Sequence, residues 1–542
     1  MRGTPRRVRL RGLVPAVALV LAVGCDSRGP HSNSTPGDRP QGFVVINLSG
    51  LRADALGISG RSPSPSPFMD SLADGAQVYE RAFSVSSDPL AAEVSLLSGL
   101  YPQEHRVAAP KMALSAEATV VAERFADFGY RTAAFTGGGY ASSDFGIDRG
   151  FDDFTTLEPT PGGPDPTFSA AIEYLRQIGD QPFFVYLHSD ALKGGHLASG
   201  SLGFERLAAG FEELTPELLE RVRRSYEDEV RRLDGALEDF FEGLEMLGLR
   251  QRTAVFVTAD RGFELGEHGR VGHLQVYPES LRVPLLLAVP GLEAGRFGGL
   301  VQTVDLAASL YRLAGIPAPV SSGRPLPGLA GAPGPRIWAA AETRGRWAQS
   351  SLFLETADGF YQLVQSHLSG EYDGTWVTRQ VTLDTEAQVL DFSIVSYLVP
   401  RTISVRVDGH DHSVIDAGPK WAKARIELPP PNGAQGKQRR RVTLAADGCT
   451  SPSDSGSSID RRCLSFKLEG LELSRTELFD LRVDPGATHD LSYDRPELMA
   501  KMATQLSRHL WLDTPLPETT QPGEAAMRRV LELGEYPEPS PR

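Results

Sequence analysis

The stretch Val44-Val-Ile-Asn-Leu-Ser-Gly-Leu-Arg-Ala-Asp-Ala-Leu-Gly57 is an apolar run that ends in a polar turn. A short buried run of this kind reads as a strand of an open α/β sheet, and such sheets place their ligand groups at the carboxyl ends of the strands. The first two positions of the turn are Ser49 and Gly50. Neither carries a charge.

Further apolar runs lie at 132–136, 183–188, 254–258 and 283–289, with amphipathic stretches between them. The stretch 216–247 has Glu and Arg at helical spacing and leads into the run at 254–258. The alternation predicts a doubly wound α/β domain over 42–318, whose core continues into a C-terminal subdomain over 319–371. From 372 to 474 the texture changes to short alternating runs at 402–407, 424–428 and 441–444, separated by Gly, Pro and Asn. That pattern predicts an all-β insertion. A strand and a helix (496–510) follow within 475–513, and 514–542 is a Pro- and Glu-rich tail.

With 542 residues the chain is long enough for two or three domains, and its formal net charge of -14 disfavours a nucleic-acid partner, because phosphate binding needs a basic surface. An acidic protein that handled sulfate or phosphate esters would need a local cationic pocket. Arg2, Arg6, Arg7, Arg9 and Arg11 precede an apolar run at 13–23 and then Gly24-Cys25-Asp26-Ser27. The run is too short to span a bilayer, so 1–24 reads as a secretory signal and the chain is expected to be exported. Gly24-Cys25 resembles a bacterial lipobox, which implies a protein held to the cell-envelope membrane by a lipid on Cys25, with 25–41 as a flexible tether. The alternative is an ordinary signal peptide followed by Cys25 by chance. Cys449 and Cys463 remain, and in an oxidising compartment they are expected to form a disulfide.

Several ordered blocks add a more specific signal. They are Ser66-Pro-Phe-Met-Asp-Ser-Leu-Ala73, Leu96-Leu-Ser-Gly-Leu-Tyr-Pro102, Gly129-Tyr-Arg-Thr-Ala-Ala-Phe135, Arg149-Gly-Phe-Asp152, Gly266-Glu-His-Gly269, Leu281-Arg-Val-Pro-Leu285 and Val304-Asp-Leu306. Thr476-Glu-Leu-Phe-Asp-Leu-Arg-Val-Asp-Pro-Gly-Ala-Thr-His-Asp-Leu491 closes the series. Together they resemble the sulfatase family of the alkaline phosphatase superfamily, over most of 43–318 and again over 476–510. The resemblance implies an alkaline-phosphatase-like doubly wound α/β sheet with a smaller C-terminal domain carrying the all-β insertion. It speaks for the fold; activity has to be argued at the site.

At the site the chain departs from the family pattern. Members read Leu-Asp-Asp-Leu-Arg or Leu-Asp-Thr-Leu-Arg where this chain has Leu48-Ser49-Gly50-Leu51-Arg52. Their Cys or Ser, matured to formylglycine, opens a Cys-x-Pro-Ser-Arg motif; counted back from Gly99, that position is Pro89, in Pro89-Leu90-Ala91-Ala92-Glu93. The helix start is kept, with Asp88 as an N-cap and Pro89 at the first helical position. Ser86, Ser87 and Ser95 lie nearby but do not match the nucleophile's spacing and read as cap or helix-surface residues. The family's second metal motif, Asp-His-Gly or Asp-Asn-Gly, is Asp260-Arg261-Gly262 here. Asp260 is the only matching ligand; calcium takes about six to eight oxygens, so no metal is expected unless the chain is an active enzyme. The run His188-Ser-Asp-Ala-Leu192 puts Leu192 near the general-acid His position, with His196 as a loop alternative. His273 matches the substrate-contacting Lys or His, and His268 belongs to a framework block. Arg261 at the metal end and Glu93 in place of the motif arginine look like exchanged charges, so Arg261 is expected to pair with Asp260, Glu93 or both, or else to point to solvent.

Three readings follow. The first is an exported, lipid-anchored sulfatase-family protein that binds or scaffolds rather than hydrolyses, with a glycan, a sulfated ligand or an envelope protein as partner. The second is an active sulfuric- or phosphoric-ester hydrolase with an atypical nucleophile and metal site, which needs an activated hydroxyl that the sequence does not offer. The third makes the β insertion a recognition module on an inert scaffold.

Overall fold

The central sheet is built from β1 (Gly42–Leu48), β2 (Gln77–Phe83), β3 (Arg131–Thr136), β4 (Asp153–Thr156), β5 (Phe183–Ser189) and β6 (Thr253–Thr258). After a hairpin of β7 (Glu264–Leu265) and β8 (Val271–Gly272) come β9 (Arg282–Val283), β10 (Leu285–Ala288) and β11 (Gly295–Gln302). The computed structural model describes residues 39–107, 113–115, 118–157, 163–192, 215–269, 271–273, 275–343, 347–370, 376–377, 380–430, 440–450, 464–492 and 494–509. The expected signal and lipidated Cys25, His196, Cys463 and the tail 514–542 lie outside them. Among the described residues no helix is long and apolar enough to cross a membrane.

Across the sheet the order is β11-β2-β10-β6-β1-β5-β3-β4, with β9 on β2. All of β1 is buried because parallel neighbours flank it on both sides, β5 and β6, and such strands read as continuous apolar runs. The run at 283–289 differs from a plain parallel design: it is interrupted at Pro284, and β10 lies antiparallel to both β6 and β2. Register places Asn47 of β1 opposite His188 of β5 and Thr258 of β6. The carboxyl ends of these three strands therefore stop at one level, and Ser49, Asp190 and Asp260 follow just beyond.

The helix Pro89–Ser98 begins where the sequence says it should. Asp88 accepts a hydrogen bond from the Ala91 N–H at 3.1 Å, and Pro89 occupies the first turn, where its missing N–H costs nothing. Gly99 ends the helix at φ 72°, a left-handed conformation suited to glycine. The helix Pro216–Met246 buries Val222, Tyr226, Val230, Leu233 and Leu237 on one face, together with Glu229 and Asp234, and leaves most of its other charged residues to solvent.

The C-terminal part is organised differently from a separate insertion. A seven-stranded sheet runs in the order Trp338–Thr343, Trp347–Glu355, Phe360–Gly370, Phe466–Asp480, Val389–Ser396 and Ala422–Glu427, with Trp376–Val377 also on Phe466–Asp480. The strand Phe466–Asp480 crosses the expected boundary at 474 and pairs with Phe360–Gly370 on one edge and Val389–Ser396 on the other. At 15 residues it is long enough to join the flanking core and the insertion into one sheet. Only the four-stranded sheet of Gln380–Thr385, Arg440–Ala446, Arg401–Val407 and His410–Ala417 lies wholly within 372–474. Phe83, Leu281 and Leu300 of the central domain pack with Phe353, Phe360 and Phe479 of the C-terminal sheet in one apolar cluster.

Candidate functional site

At the carboxyl ends of β1, β5 and β6, Ser49, Pro89, Glu93, Tyr140, His188, Asp190, Asp260 and Arg261 surround one small cavity. The Arg261 Nη1 group donates to Ser49 Oγ at 2.7 Å and to Asp260 Oδ2 at 2.6 Å, and its guanidinium is nearly inaccessible to water. The backbone holds that geometry. The Arg261 N–H donates to Asp260 Oδ1 at 2.9 Å, and the Asp260 N–H donates to Asn47 Oδ1 at 2.8 Å. Gly262 then passes so close to the Glu279 carbonyl that a Cβ would lie 2.1 Å from its oxygen. Glycine is required there for steric reasons.

Glu93 does not take Arg261 as its hydrogen-bonded partner. Asn47 Nδ2 donates to Glu93 Oε2 at 2.7 Å, and the Tyr186 hydroxyl donates to Oε1 at 2.6 Å. Asn47 thus stands between the two carboxylates, accepting from the Asp260 backbone and donating to Glu93. Of the partners anticipated for Arg261 the structure therefore selects Asp260, to which it adds Ser49, while two neutral dipoles from β1 and β5 reach Glu93. Burial pushes the Glu93 carboxyl up to about 7; the nearby His188 and Arg261 and the Tyr186 hydrogen bond oppose this, and Asp260 adds to it. Burial and the Glu93 charge raise the Tyr186 hydroxyl well above its ordinary value, so it remains a donor.

The other anticipated residues fall as follows. Gly50 has φ 85°, and a Cβ there would lie 3.5 Å from Leu192 Cβ, so Leu192 is a fully buried packing residue beside the loop. The His273 Nδ1 lies 3.1 Å from the Ser87 carbonyl, and His273 is not among the cavity-lining residues. His268 stacks on Tyr277 with ring centroids 3.6 Å apart and its Nε2 3.5 Å from Glu279, a structural arrangement. Ser86 Oγ donates to the Glu342 carbonyl, and Ser87 Oγ is buried with no partner among the described residues. Ser95 Oγ lies 2.9 Å from His105 Nε2, but His105 Nδ1 accepts from the Val107 N–H, which puts the imidazole proton on Nε2. Ser95 is therefore an acceptor, and burial holds His105 down at about 3. Cys449 is disulfide-bonded.

Sequence reasoning missed Asn47, Tyr186, Tyr140 and Asp190 and gave His188 no role. The available signal was Asn47, a polar side chain inside an otherwise apolar strand. His188, next to last in β5, is another polar residue in an apolar strand, and among the described residues its Nδ1 is buried without a partner.

This arrangement limits the chemistry. Ser49 Oγ hydrogen-bonds Arg261, and among the described residues no base is placed to take its proton. Pro89 offers neither hydroxyl nor thiol. A divalent cation does not fit: Asp260 already engages a guanidinium, Ser49 and Gly50 supply no carboxylate, and among the described residues no group of three or more His, Cys, Asp or Glu could hold a metal. The cavity measures about 10 Å³, room for about one water molecule. A tetrahedral oxyanion would also meet the carboxylates of Glu93, Asp190 and Asp260.

The family model Sulfatase matches residues 41–316. Among similar proteins, arylsulfatase K of Bos taurus is 32% identical over 108 residues, 20% of each chain. The choline-sulfatase of Rhizobium meliloti is 30% identical over 104 residues, 19% of this chain and 20% of its own. The aligned part thus spans about a fifth of these relatives' length. Among solved structures, a 2-O GAG sulfatase superposes with a TM-score of 0.57 at 16% identity, covering 90% of this chain and 99% of its own. The phosphonate monoester hydrolase of Agrobacterium radiobacter gives 0.55 at 16% identity, covering 87% and 96%.

Proposed function

The chain belongs to the sulfatase family, and we propose that it is a non-hydrolytic member with a binding or scaffolding role. The observation that carries this reading is the Arg261 guanidinium on Asp260 and Ser49, at the strand ends where the family resemblance implies a metal. Pro89 at the nucleophile position and a cavity the size of one water support the same reading, since ester hydrolysis needs an activated nucleophile and room for the ester. The N-terminal pattern supports export and a lipid on Cys25, which would place the folded part at the bacterial envelope. Its partner there would be a glycan, a sulfated ligand or an envelope protein.

Two measurements on the purified protein test the reading. Elemental analysis should find no stoichiometric calcium, and aryl sulfates and aryl phosphates should turn over no faster than in buffer, because enzymes lower barriers by at least about 8 kcal/mol through groups this site lacks. Stoichiometric calcium, or turnover abolished by Ser49→Ala, would overturn it.

A further inference from the structure

A second and much larger cavity, about 280 Å³, opens beside the loop after β1. Its walls come from the segment after Arg52, the helix Pro216–Met246 and β7, and they include Arg52, Arg61, Arg223, Asp54, Glu227 and Glu267. In a chain of net charge -14, three arginines around one cavity call for an account of their charges.

Most of these charges are matched within the wall. Arg52 is buried and forks onto Asp54 through Nε and Nη2, while its Nη1 donates to Glu267 at 2.8 Å. Burial would raise the Asp54 carboxyl, but its hydrogen bonds and the charges of Arg52 and Arg282 give a net lowering. Glu227 is shared between Arg61 and Arg231. Arg223 is the exception. Its Nε donates to the Leu265 carbonyl at 3.0 Å, which fixes the guanidinium, and among the described residues its Nη1 and Nη2 groups have no partner and it forms no ion pair. The cavity thus holds three satisfied acids and one anchored, uncompensated guanidinium, with Arg61 bound through Nη2 alone. Ala55, Pro65, Val230 and Leu265 complete the wall with apolar surface.

We propose that this cavity binds a small organic monoanion, whose carboxylate or sulfate-type group is taken by the Nη groups of Arg223 with help from Arg61, and whose apolar body rests on Pro65, Val230 and Leu265. A planar guanidinium anchored by Nε presents two parallel donors that match such a group, and an apolar pocket with a few convergent polar groups is the usual form of a small-molecule site. Inorganic dianions are disfavoured, because the three acids of the wall balance its three arginines in number and leave only the Arg223 Nη groups without an anionic partner among the described residues. The inference does not depend on whether the strand-end site is catalytic.

The test is calorimetric titration of the folded chain with phenyl sulfate as probe and benzyl alcohol as its neutral counterpart. Phenyl sulfate should bind and benzyl alcohol should not. Arg223→Gln should weaken phenyl sulfate by about tenfold or more, the worth of a charge-assisted hydrogen bond. Arg223→Lys should retain part of the affinity, and Arg224→Gln, on the exposed face beside it, should change nothing. Circular dichroism of each variant reports folding. Equal binding by Arg223→Gln, binding of both probes alike, or no binding to the well-folded parent would each overturn the proposal. Release of phenol from bound phenyl sulfate would overturn the non-hydrolytic reading and leave this one standing.

Discussion

Two buried Arg–Asp pairs sit in this molecule in different settings. Arg336 meets Asp305 through Nε at 2.9 Å and through Nη2, and also donates to the Ser322 carbonyl at 3.0 Å. Asp305 further accepts from the Gln302 and Arg324 N–H groups. That pair ties the helix Asp305–Ala314 to the strand entering the C-terminal sheet, and both carboxylate oxygens are engaged by guanidinium and backbone alike. The Arg261 guanidinium meets Asp260 through Nη1, within a cavity that also holds Asp190 and Glu93, the latter pushed up to about 7. The first pair behaves as framework. The second lies at the strand ends, and carboxylates crowd it.

The largest expected effect tests the framework side. Arg336→Ala should cost about 3 to 5 kcal/mol, the range for leaving one partner of a buried pair alone, read by denaturant unfolding. Arg261→Ala should cost clearly less, because the guanidinium meets Asp260 through Nη1 and Asp260 keeps its bond from the Arg261 backbone N–H when the side chain is gone. Equal losses would erase the distinction between the two pairs.

Glu93 sharpens it through pH. A folded value of about 7 against an ordinary 4.5 means that the folded state holds the proton more tightly. Its contribution is therefore complete below about 4.5 and is lost as pH rises through about 7, a change of about 3 kcal/mol at most. Glu93→Gln should flatten the fall in unfolding free energy between pH 5 and 8 relative to the parent. An unchanged slope would mean that the carboxyl is not protonated in the folded chain.

A smaller effect concerns who pairs with whom. Double-mutant cycles at neutral pH should give a coupling of about 0.5 to 3 kcal/mol between Arg261 and Asp260, the range for residues in contact. Coupling between Arg261 and Glu93 should be weaker, since Asn47 stands between the two carboxylates. The reverse ranking would favour Glu93, the other partner that the sequence allowed. The smallest change, Asp88→Ala, removes the helix cap and should cost about 1 kcal/mol; a negligible loss in thermal unfolding would show that tertiary packing alone holds that helix start.

Much of the frame was legible because it is locally encoded. The strand at 42–48 and the helix from 216 follow from apolar periodicity, and the Asp88-Pro89 start follows from capping chemistry. β2 and β11 were not legible: Gln-Val-Tyr-Glu-Arg-Ala-Phe and Gly-Arg-Phe-Gly-Gly-Leu-Val-Gln mix charge or glycine with apolar residues, and only pairing with neighbours makes them strands. The extent of the insertion was misjudged for a related reason. A 15-residue strand that serves two partners has no local sign that half of it belongs to each.

By itself the sequence determined which functional groups exist where the family places its chemistry. Ser49 and Gly50 bring no carboxylate, Pro89 brings no nucleophile and Arg261 brings a permanent cation, since side-chain identity is covalent. Only the tertiary structure decided what those groups do. Asn47 lies 213 residues from Asp260 and 46 from Glu93, and a contact over such separations depends on the register of β1 with β5 and β6. That register brings Arg261 onto Ser49 and gives Glu93 to Asn47 and Tyr186. It is set by the burial of whole strands, a collective quantity that no single residue carries.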